Sequence, residues 1–426
     1  MASLKIGVCG LGTVGSGVIK LFNDHQGLIQ QRCNADLQLV HIGARRDNAD
    51  CDTSRYRVSR DIFEVVRDPE VDIVVELIGG TTVARDLVTQ AIQAGKHVVT
   101  ANKALIAEFG NELIALAEQA QVALRFEAAV AGGIPVIKVL RESLAANVVS
   151  GVAGIINGTG NFILTEMANA GRSFDDVLAE AQALGYAEAD PTFDIDGTDA
   201  AHKLVILASI AFGIPLDANA PIMEGIDTVT PEDLNFAKEL GFCVKHLGIA
   251  RRCGDAIDLR VHPTLIPSSR QIARVDGVLN AVMIEADAVG EIVLTGPGAG
   301  SLPTASSVCS DLLDLGKILN HTKIDPAPIL GVPSDQLQAL PLVPRDEVAG
   351  VWYLRLVVED RPGVMAEITG LLSERGISIE SLIQRPPVAG SSQVTVVILT
   401  DSVACGRLDA AICDMESLPA LSGSVV

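Results

Sequence analysis

A strand, a glycine-rich turn and a helix follow one another at the start of the chain. Leu4-Lys-Ile-Gly-Val-Cys9 is a short, nearly continuous apolar run that reads as a buried parallel strand. Gly10-Leu-Gly-Thr-Val-Gly15 follows without a break, and Val14 to Phe22 has apolar residues at helical spacing. A G-x-G-x-x-G between a strand and a helix is the arrangement that binds a dinucleotide. Gly10 permits the tight turn, Gly12 lets the backbone approach a pyrophosphate, and Gly15 lets the helix pack close to the strand. The helix N-terminus then faces the phosphates with its unpaired N–H groups. In isolation the glycine pattern is weak; in this context it is strong.

The same pattern continues downstream. Leu37 to Ile42, Val71 to Ile78, His97 to Thr100 and Val122 to Phe126 read as further buried strands, with a helix over Ala84 to Ala94. The expected fold is α/β, a Rossmann-like doubly wound parallel sheet. The second strand ends at Gly43-Ala-Arg45-Arg46, where an acidic residue would hold the ribose 2′-hydroxyl of NAD. Two arginines suit a 2′-phosphate instead, so NADP(H) is the preferred cofactor, with NAD(H) left open and a pair of plain surface arginines as the alternative. Gly80 and Thr81 follow the third strand and Thr100 closes the fourth. Lys103 comes next, at a carboxyl end of the sheet, where open α/β sheets bind ligands.

Composition excludes some functions. With 426 residues, two or three domains and a large core are expected. A formal net charge of −21 argues against nucleic acid and anionic membrane as partners. The eight cysteines form no C-x-x-C pair, and several sit in apolar runs, so reduced thiols and a cytoplasmic location are expected. A strand entered by Leu4 leaves no room for a signal peptide, and the apolar run Leu204 to Leu216 is shorter than the roughly 20 residues of a membrane span.

From about residue 140 the character changes. Gly151 to Thr159 reads as strand then turn, Asn161 to Ala170 as a helix, and Leu259 to Leu265 and Val278 to Ala286 as strands. Gly296-Pro-Gly-Ala-Gly300 then opens an amphipathic helix that returns to the nucleotide region. Prolines 326, 328, 333, 341 and 344 mark a linker, and a βαββα pattern beyond it suggests a small ferredoxin-like domain. The expected division is 1–135 (nucleotide-binding, completed near 296–320), 136–320 (α+β, catalytic and dimerisation), 321–349 (linker) and 350–426.

The stretch Gly185 to Lys203 holds Glu188, Asp190, Asp194, Asp196, Asp199 and Lys203, then runs straight into Leu204-Val-Ile-Leu-Ala-Ser-Ile-Ala-Phe212. A buried helix draws these charges inward, where each needs a partner or a task. Helix capping explains Asp196 and Asp199 but not Lys203, one turn beyond Asp199 on the same face. A calcium loop is excluded, because aligning Gly197 with the glycine of an EF-hand puts Lys203 where a bidentate glutamate belongs.

The pattern Ala181-x-x-x-Gly185-Tyr-Ala-x-x-Asp190-Pro191-x-x-Asp194-Ile-x-Gly197-x-Asp199-x-x-x-Lys203 resembles the signature of homoserine dehydrogenases. So do Thr100-Ala-Asn-Lys-Ala-Leu105, Glu127-Ala-Ala-Val-Ala-Gly-Gly-Ile134, Ile156-Asn-Gly-Thr159 and Gly296 to Gly300. The tail, with Glu359-Asp-Arg-Pro-Gly363 after its first strand, is similar to an ACT domain. The resemblance implies reversible hydride transfer between L-homoserine and L-aspartate 4-semialdehyde, within threonine, methionine and isoleucine biosynthesis. It implies Lys203 as general acid and base, Lys103 beside nicotinamide and substrate, and Asp199 orienting both lysines. Substrate would meet Glu188, Gly185, Asp194, Asp199 and Lys103. The cofactor would meet Gly10, Gly12, Thr13, Val14, Gly15, Arg45, Arg46, Gly80, Thr81, Thr100, Lys103 and Gly300. A structural sodium ion would sit on the Glu127 side chain and the carbonyls of Val130, Gly132 and Ile134. Threonine or a related amino acid acting through the tail, and a homodimer or homotetramer, are further expectations. Two other readings fit the sequence less well. An acylating semialdehyde dehydrogenase needs a cysteine nucleophile at a helix start, which Cys9 (in a strand) and Cys309 (inside a helix) do not supply. A non-catalytic amino-acid sensor on a relic dehydrogenase fold would have no need to keep both lysines and every carboxylate.

Overall fold

The computed structural model describes residues 3–33, 35–321, 327–387 and 392–426. Pro326, with the rest of 322–326 in the expected linker, lies outside them, as do residues 1, 2, 34 and 388–391 of the flanking domains.

Six strands, β1 (Ser3–Cys9), β2 (Asp36–Gly43), β3 (Arg57–Ser59), β4 (Ile73–Glu76), β5 (His97–Thr100) and β6 (Leu124–Arg125), form an all-parallel sheet in the order β3-β2-β1-β4-β5-β6. The order reverses beside β1, so the carboxyl ends of β1 and β4 diverge and open a crevice. The strands are apolar on both faces because helices cover both sides, and β4 is buried throughout. The helix Ser301–Leu319 packs on the first helix, Thr13–Asp24, and Ser301 Oγ donates to Thr13 O at 2.8 Å.

A second sheet has the order β12-β11-β7-β9-β10-β8, from β7 (Val149–Ile155), β8 (Ile222–Met223), β9 (Phe242–Cys253), β10 (Ala256–Pro267), β11 (Leu279–Ala286) and β12 (Gly290–Pro297). Its pairs are antiparallel except β8 with β10. The helix Thr198–Phe212 runs between the two sheets. Leu204, Val205, Ile206, Leu207 and Ala208 are all at most 2% exposed, so beyond Lys203 the helix is apolar around its circumference because its middle turns meet no water. They share one core with Leu105 and Ile106 of the Lys103–Ala120 helix and with Ile156 and Ala250 of the second-sheet region.

The proline-rich segment is not a free linker. Ile257 N donates to Pro341 O, Val343 N to Ile257 O and Gln338 N to Gly213 O, which holds it along β10 and the end of the buried helix. The tail has three antiparallel strands, with Gln393–Thr400 between Tyr353–Glu359 and Ile379–Gln384, and helices Val364–Glu374 and Cys405–Glu416. The chain end adds a fourth edge not evident in the sequence: Ser422 N donates to Val357 O and Val426 N to Arg355 O. No helix among the described residues is long and apolar enough to cross a membrane.

Candidate active site

The glycine turn follows from backbone geometry. Gly10 has φ +112°, and a Cβ there would stand 2.5 Å from Leu77 O. A Cβ on Gly15 would stand 2.1 Å from Gly10 O, whereas one on Gly12 would meet nothing within 4 Å. The first two glycines in this list hold the chain together, and Gly12 opens onto a crevice. That crevice has a volume of about 970 Å³ and is lined by Gly10, Gly12, Arg45, Arg46, Arg60 and Gly79 among others. Thr13 and Val14 begin the helix that faces it, with no side chain capping its first turn. Arg45 and Arg46 are exposed and make no ion pair among the described residues. The nearby Asp47 is held by both oxygens on Arg60 at 2.8 Å, so the acidic residue of this turn is already engaged.

The floor of the crevice is built on a residue the sequence reading passed over. Glu76, fully buried at the end of β4, accepts from Ile78 N at 2.8 Å, Gly79 N at 3.3 Å and Thr100 Oγ1 at 2.5 Å. Burial pushes its carboxyl up, against the pull of these donors. Thr100 therefore spends its hydroxyl on the protein. Asn102 caps the next helix, accepting from Leu105 N, and donates to Gly80 O at 2.6 Å. The Gly79–Thr81 turn and Lys103 are thus tied to one frame. Gly300, at φ +115°, is the N-cap of the return helix on the same side of the sheet.

The five carboxylates of the acidic stretch separate into distinct tasks. Asp190 accepts from Thr192 N and Oγ1, and those bonds hold it below its ordinary value. Asp196 accepts from Thr198 N at 2.8 Å, while the N-cap itself is Gly197 at φ +93°. Both are turn formers. Asp199 does not cap. It is 7% exposed, and its Oδ2 accepts from Lys203 Nζ at 2.6 Å while its Oδ1 faces Lys103 Nζ at 3.1 Å. Lys203 Nζ also donates to Ile156 O at 2.6 Å. Burial pushes Asp199 up, but the two lysines outweigh it and hold the carboxyl far below the usual range.

One carboxylate thus bridges two lysines whose environments differ. The Lys203 side chain is 12% exposed, that of Lys103 40%. Burial, reinforced by the charge of Lys103, lowers Lys203, while Asp199 opposes that fall. For Lys103 the Asp199 charge leads and raises it, with smaller contributions from Asp194 and Glu188. The two neighbouring ammonium groups are thus pushed in opposite directions. Asp194, raised mainly by burial, lies beside them, and Gly185 and Glu188 are exposed on the loop above. That loop is anchored by Thr159 Oγ1 on Tyr186 O at 2.7 Å and by Tyr186 edge-on to Phe162 at 5.1 Å.

Glu127 is buried, its oxygens accepting from Ile137 N and Lys138 N at 2.9 Å each. Burial and then the neighbouring Asp311 push it to about 7. Val130, Gly132 and Ile134 lie on the loop that follows, where Gly132 O already accepts from Ser307 Oγ. Ile134 O likewise accepts from Val136 N at 2.8 Å, so two of the three expected carbonyls are already engaged within the protein.

Comparison with known proteins agrees with this architecture. Residues 10–127 match the homoserine dehydrogenase NAD-binding domain, residues 135–313 the homoserine dehydrogenase family and residues 352–416 the ACT domain. A homoserine dehydrogenase of Pseudomonas aeruginosa is 52% identical over 426 residues, covering 100% of this chain and 98% of that protein. The crystal structure of a homoserine dehydrogenase from Thiobacillus denitrificans superposes with a TM-score of 0.94 at 49% identity, covering 100% of this chain and 97% of the other. A hyperthermophilic archaeal homoserine dehydrogenase in complex with NADPH superposes with a TM-score of 0.61 at 28% identity, over 73% of this chain and 97% of the other. Identity at this level along the whole length leaves no segment unaccounted for: the chain belongs to the homoserine dehydrogenase family and carries an ACT regulatory domain.

Proposed function

We propose that Lys203 is the general acid and base in hydride transfer between L-homoserine and L-aspartate 4-semialdehyde, with NADP(H) preferred over NAD(H). The observation that carries this is the single carboxylate of Asp199, with Lys203 on one oxygen and Lys103 on the other. When bound, the nicotinamide supplies or accepts the hydride. As hydride reaches the carbonyl carbon, the oxygen takes its proton from Lys203 Nζ, whose burial makes that proton easier to release. Lys103, kept charged by Asp199, stabilises the developing alkoxide. Asp194 and Glu188 receive the substrate ammonium group, and Gly185 leaves room for it. In the oxidative direction neutral Lys203 removes the hydroxyl proton.

For the cofactor, Gly10, Gly12, Thr13, Val14 and Gly15 hold the pyrophosphate and Arg45 and Arg46 the 2′-phosphate. Gly80, Thr81, Thr100 and Gly300 line the nicotinamide side, Thr100 through its backbone. The NADPH complex of the archaeal relative supports this choice. Sodium on Glu127, Val130, Gly132 and Ile134 would be structural, neutralising a buried pair of acids. The chain divides near residues 135, 320 and 350, works in the cytoplasm in threonine, methionine and isoleucine biosynthesis as a dimer or tetramer, and responds to threonine through its ACT domain.

Lys203→Ala tests the reading. Homoserine oxidation should fall by a factor of about a thousand or more, in keeping with the loss of a general acid and base, while NADPH still quenches or enhances fluorescence at wild-type affinity. Turnover unchanged in that variant removes Lys203 from the proton transfer.

A further inference from the structure

Between the two acids that face the substrate pocket stands one amide. Asn157 follows β7 and is 5% exposed. Its Nδ2 donates to Asp194 Oδ1 at 2.7 Å and to Asp199 Oδ2 at 2.9 Å. Its Oδ1 accepts from Gly160 N at 2.7 Å, capping the helix Gly158–Ala170. All the side chain's donors and one lone pair are therefore used, and the amide can point only one way. Turned over, it would set oxygen against two carboxylates and NH2 against a backbone N–H. The residue before it contributes too, since Ile156 O accepts from Lys203 Nζ at 2.6 Å. Two consecutive residues thus hold the lysine and both acids.

We propose that Asn157 is a positioning residue of the reaction: its amide fixes Asp194 relative to Asp199, and so sets the ammonium-binding carboxylate against the carboxylate that holds Lys203. Without a donor between them, the buried Asp199 and the half-buried Asp194 carboxylates repel. One would turn away or take a proton, and either change disturbs substrate binding and the proton donor together. The hydrogen bonds from Asn157 pull both acids toward the ionised form, which agrees with this role. An apolar residue of the same size could not serve, and neither could an acid.

The proposal rests on Lys203 carrying the proton, and the test separates the two. Asn157→Asp keeps an oxygen for Gly160 N, because Asp caps helices as well as Asn does, but it removes both donors and adds a third acid. Asn157→Ser keeps a capping oxygen without the added charge. In the full-length enzyme both variants should lose roughly ten- to hundred-fold in kcat/KM for homoserine, the size expected for lost hydrogen bonds to charged groups. NADPH affinity should stay near wild type in both, while melting temperature should fall further in Asn157→Asp, which buries a third charge, than in Asn157→Ser. In Asn157→Asp the ascending limb of the pH profile for homoserine oxidation should also move to higher pH, since an extra negative charge holds the proton on Lys203. Wild-type kcat/KM and an unmoved limb in Asn157→Asp would overturn the proposal, even with Lys203→Ala inactive. So would a loss of activity in both variants that merely tracks loss of NADPH binding and thermal stability, which would reduce Asn157 to a helix cap. If Lys203→Ala kept its turnover, the reading beneath the proposal would fail instead.

Discussion

His246 is a buried imidazole whose setting predicts an acid-sensitive stability for this unit. It is 4% exposed, and its Nε2 donates to Glu224 O at 3.0 Å. Its Nδ1 has no partner among the described residues, and a Cβ on Gly197, within the acidic stretch, would lie 3.3 Å from its ring. Burial pulls its pKa down from 6.5 to about 4. The unfolded chain binds this proton more readily than the folded one, so the contribution is fully present above pH 6.5 and is lost as pH falls toward 4. It amounts to up to about 3 kcal/mol. Melting temperature should therefore drop across that window, and His246→Gln should flatten the slope; an unchanged slope would place the acid sensitivity elsewhere. At this scale the sequence was a partial guide. Lys203 and Asp199 stood out because a charged pair one helical turn apart leads into an apolar run. Asn157 did not stand out, since an Asn before a glycine reads as a turn until Asp194, 37 residues away, is placed against it. Glu76 was hidden for the same reason, being a lone acid at the end of an apolar strand.

Elements were legible where one physical rule governed them. The strands of the parallel sheet are apolar runs bounded by glycine turns, and the buried helix is a run with no polar face. β9 was less visible because Lys245 and His246 interrupt it, and both are buried in their own hydrogen bonds: Lys245 Nζ reaches Val275 O and Asp276 Oδ1 at 2.8 Å each. β12, an edge strand ending in Gly-Pro, is too exposed to show a clean alternation. The end of β2 makes a prediction at the scale of the turn. Arg45 and Arg46 follow it with no ion pair among the described residues, while Asp47 is bound by Arg60. Arg45→Asp should cut the preference for NADP over NAD by about tenfold or more, the worth of one charge-assisted bond. The ratio of kcat/KM for the two cofactors measures it, and an unaltered ratio would mean that the arginine merely decorates the surface.

At the scale of the whole molecule, two carboxylates of the helix Pro231–Glu239 pair with arginines of the tail, Glu239 with Arg385 at the surface and Asp233 with Arg355 in a more buried setting. Asp233 Oδ1 accepts from Tyr353 Oη and Arg355 Nε, each at 2.7 Å, on the first strand of the ACT domain. Its Oδ2 accepts from Thr230 N and Oγ1, completing the capping box of the helix Pro231–Glu239. The segment before that cap is tied in turn, Val229 N to Ile226 O and Ile226 N to Ile195 O, next to Asp194. Phe162, Ile226, Val229, Leu234 and Ile195 pack as one apolar cluster along this route. On the proposed reading, a shift of the ACT strand that strains Asp233 would be felt at the loop of Asp194 through these contacts. Packing alone does not prove coupling, which needs a measured free energy between sites. Asp233→Asn in the full-length chain supplies the measurement. Weakening a buried ion pair with Arg355 should cost roughly 3 kcal/mol of stability, read from chemical denaturation. Homoserine oxidation without effector should persist, because Asp233 touches no part of the proton-transfer site. The threonine inhibition curve should move by about tenfold or flatten, within the usual range of allosteric coupling. Arg355→Met, which removes the same pair from the ACT side, should reproduce the change. Inhibition curves that superimpose on the wild-type curve in both variants would show that the ACT domain signals by another route, through its own association with a second chain rather than through Asp233.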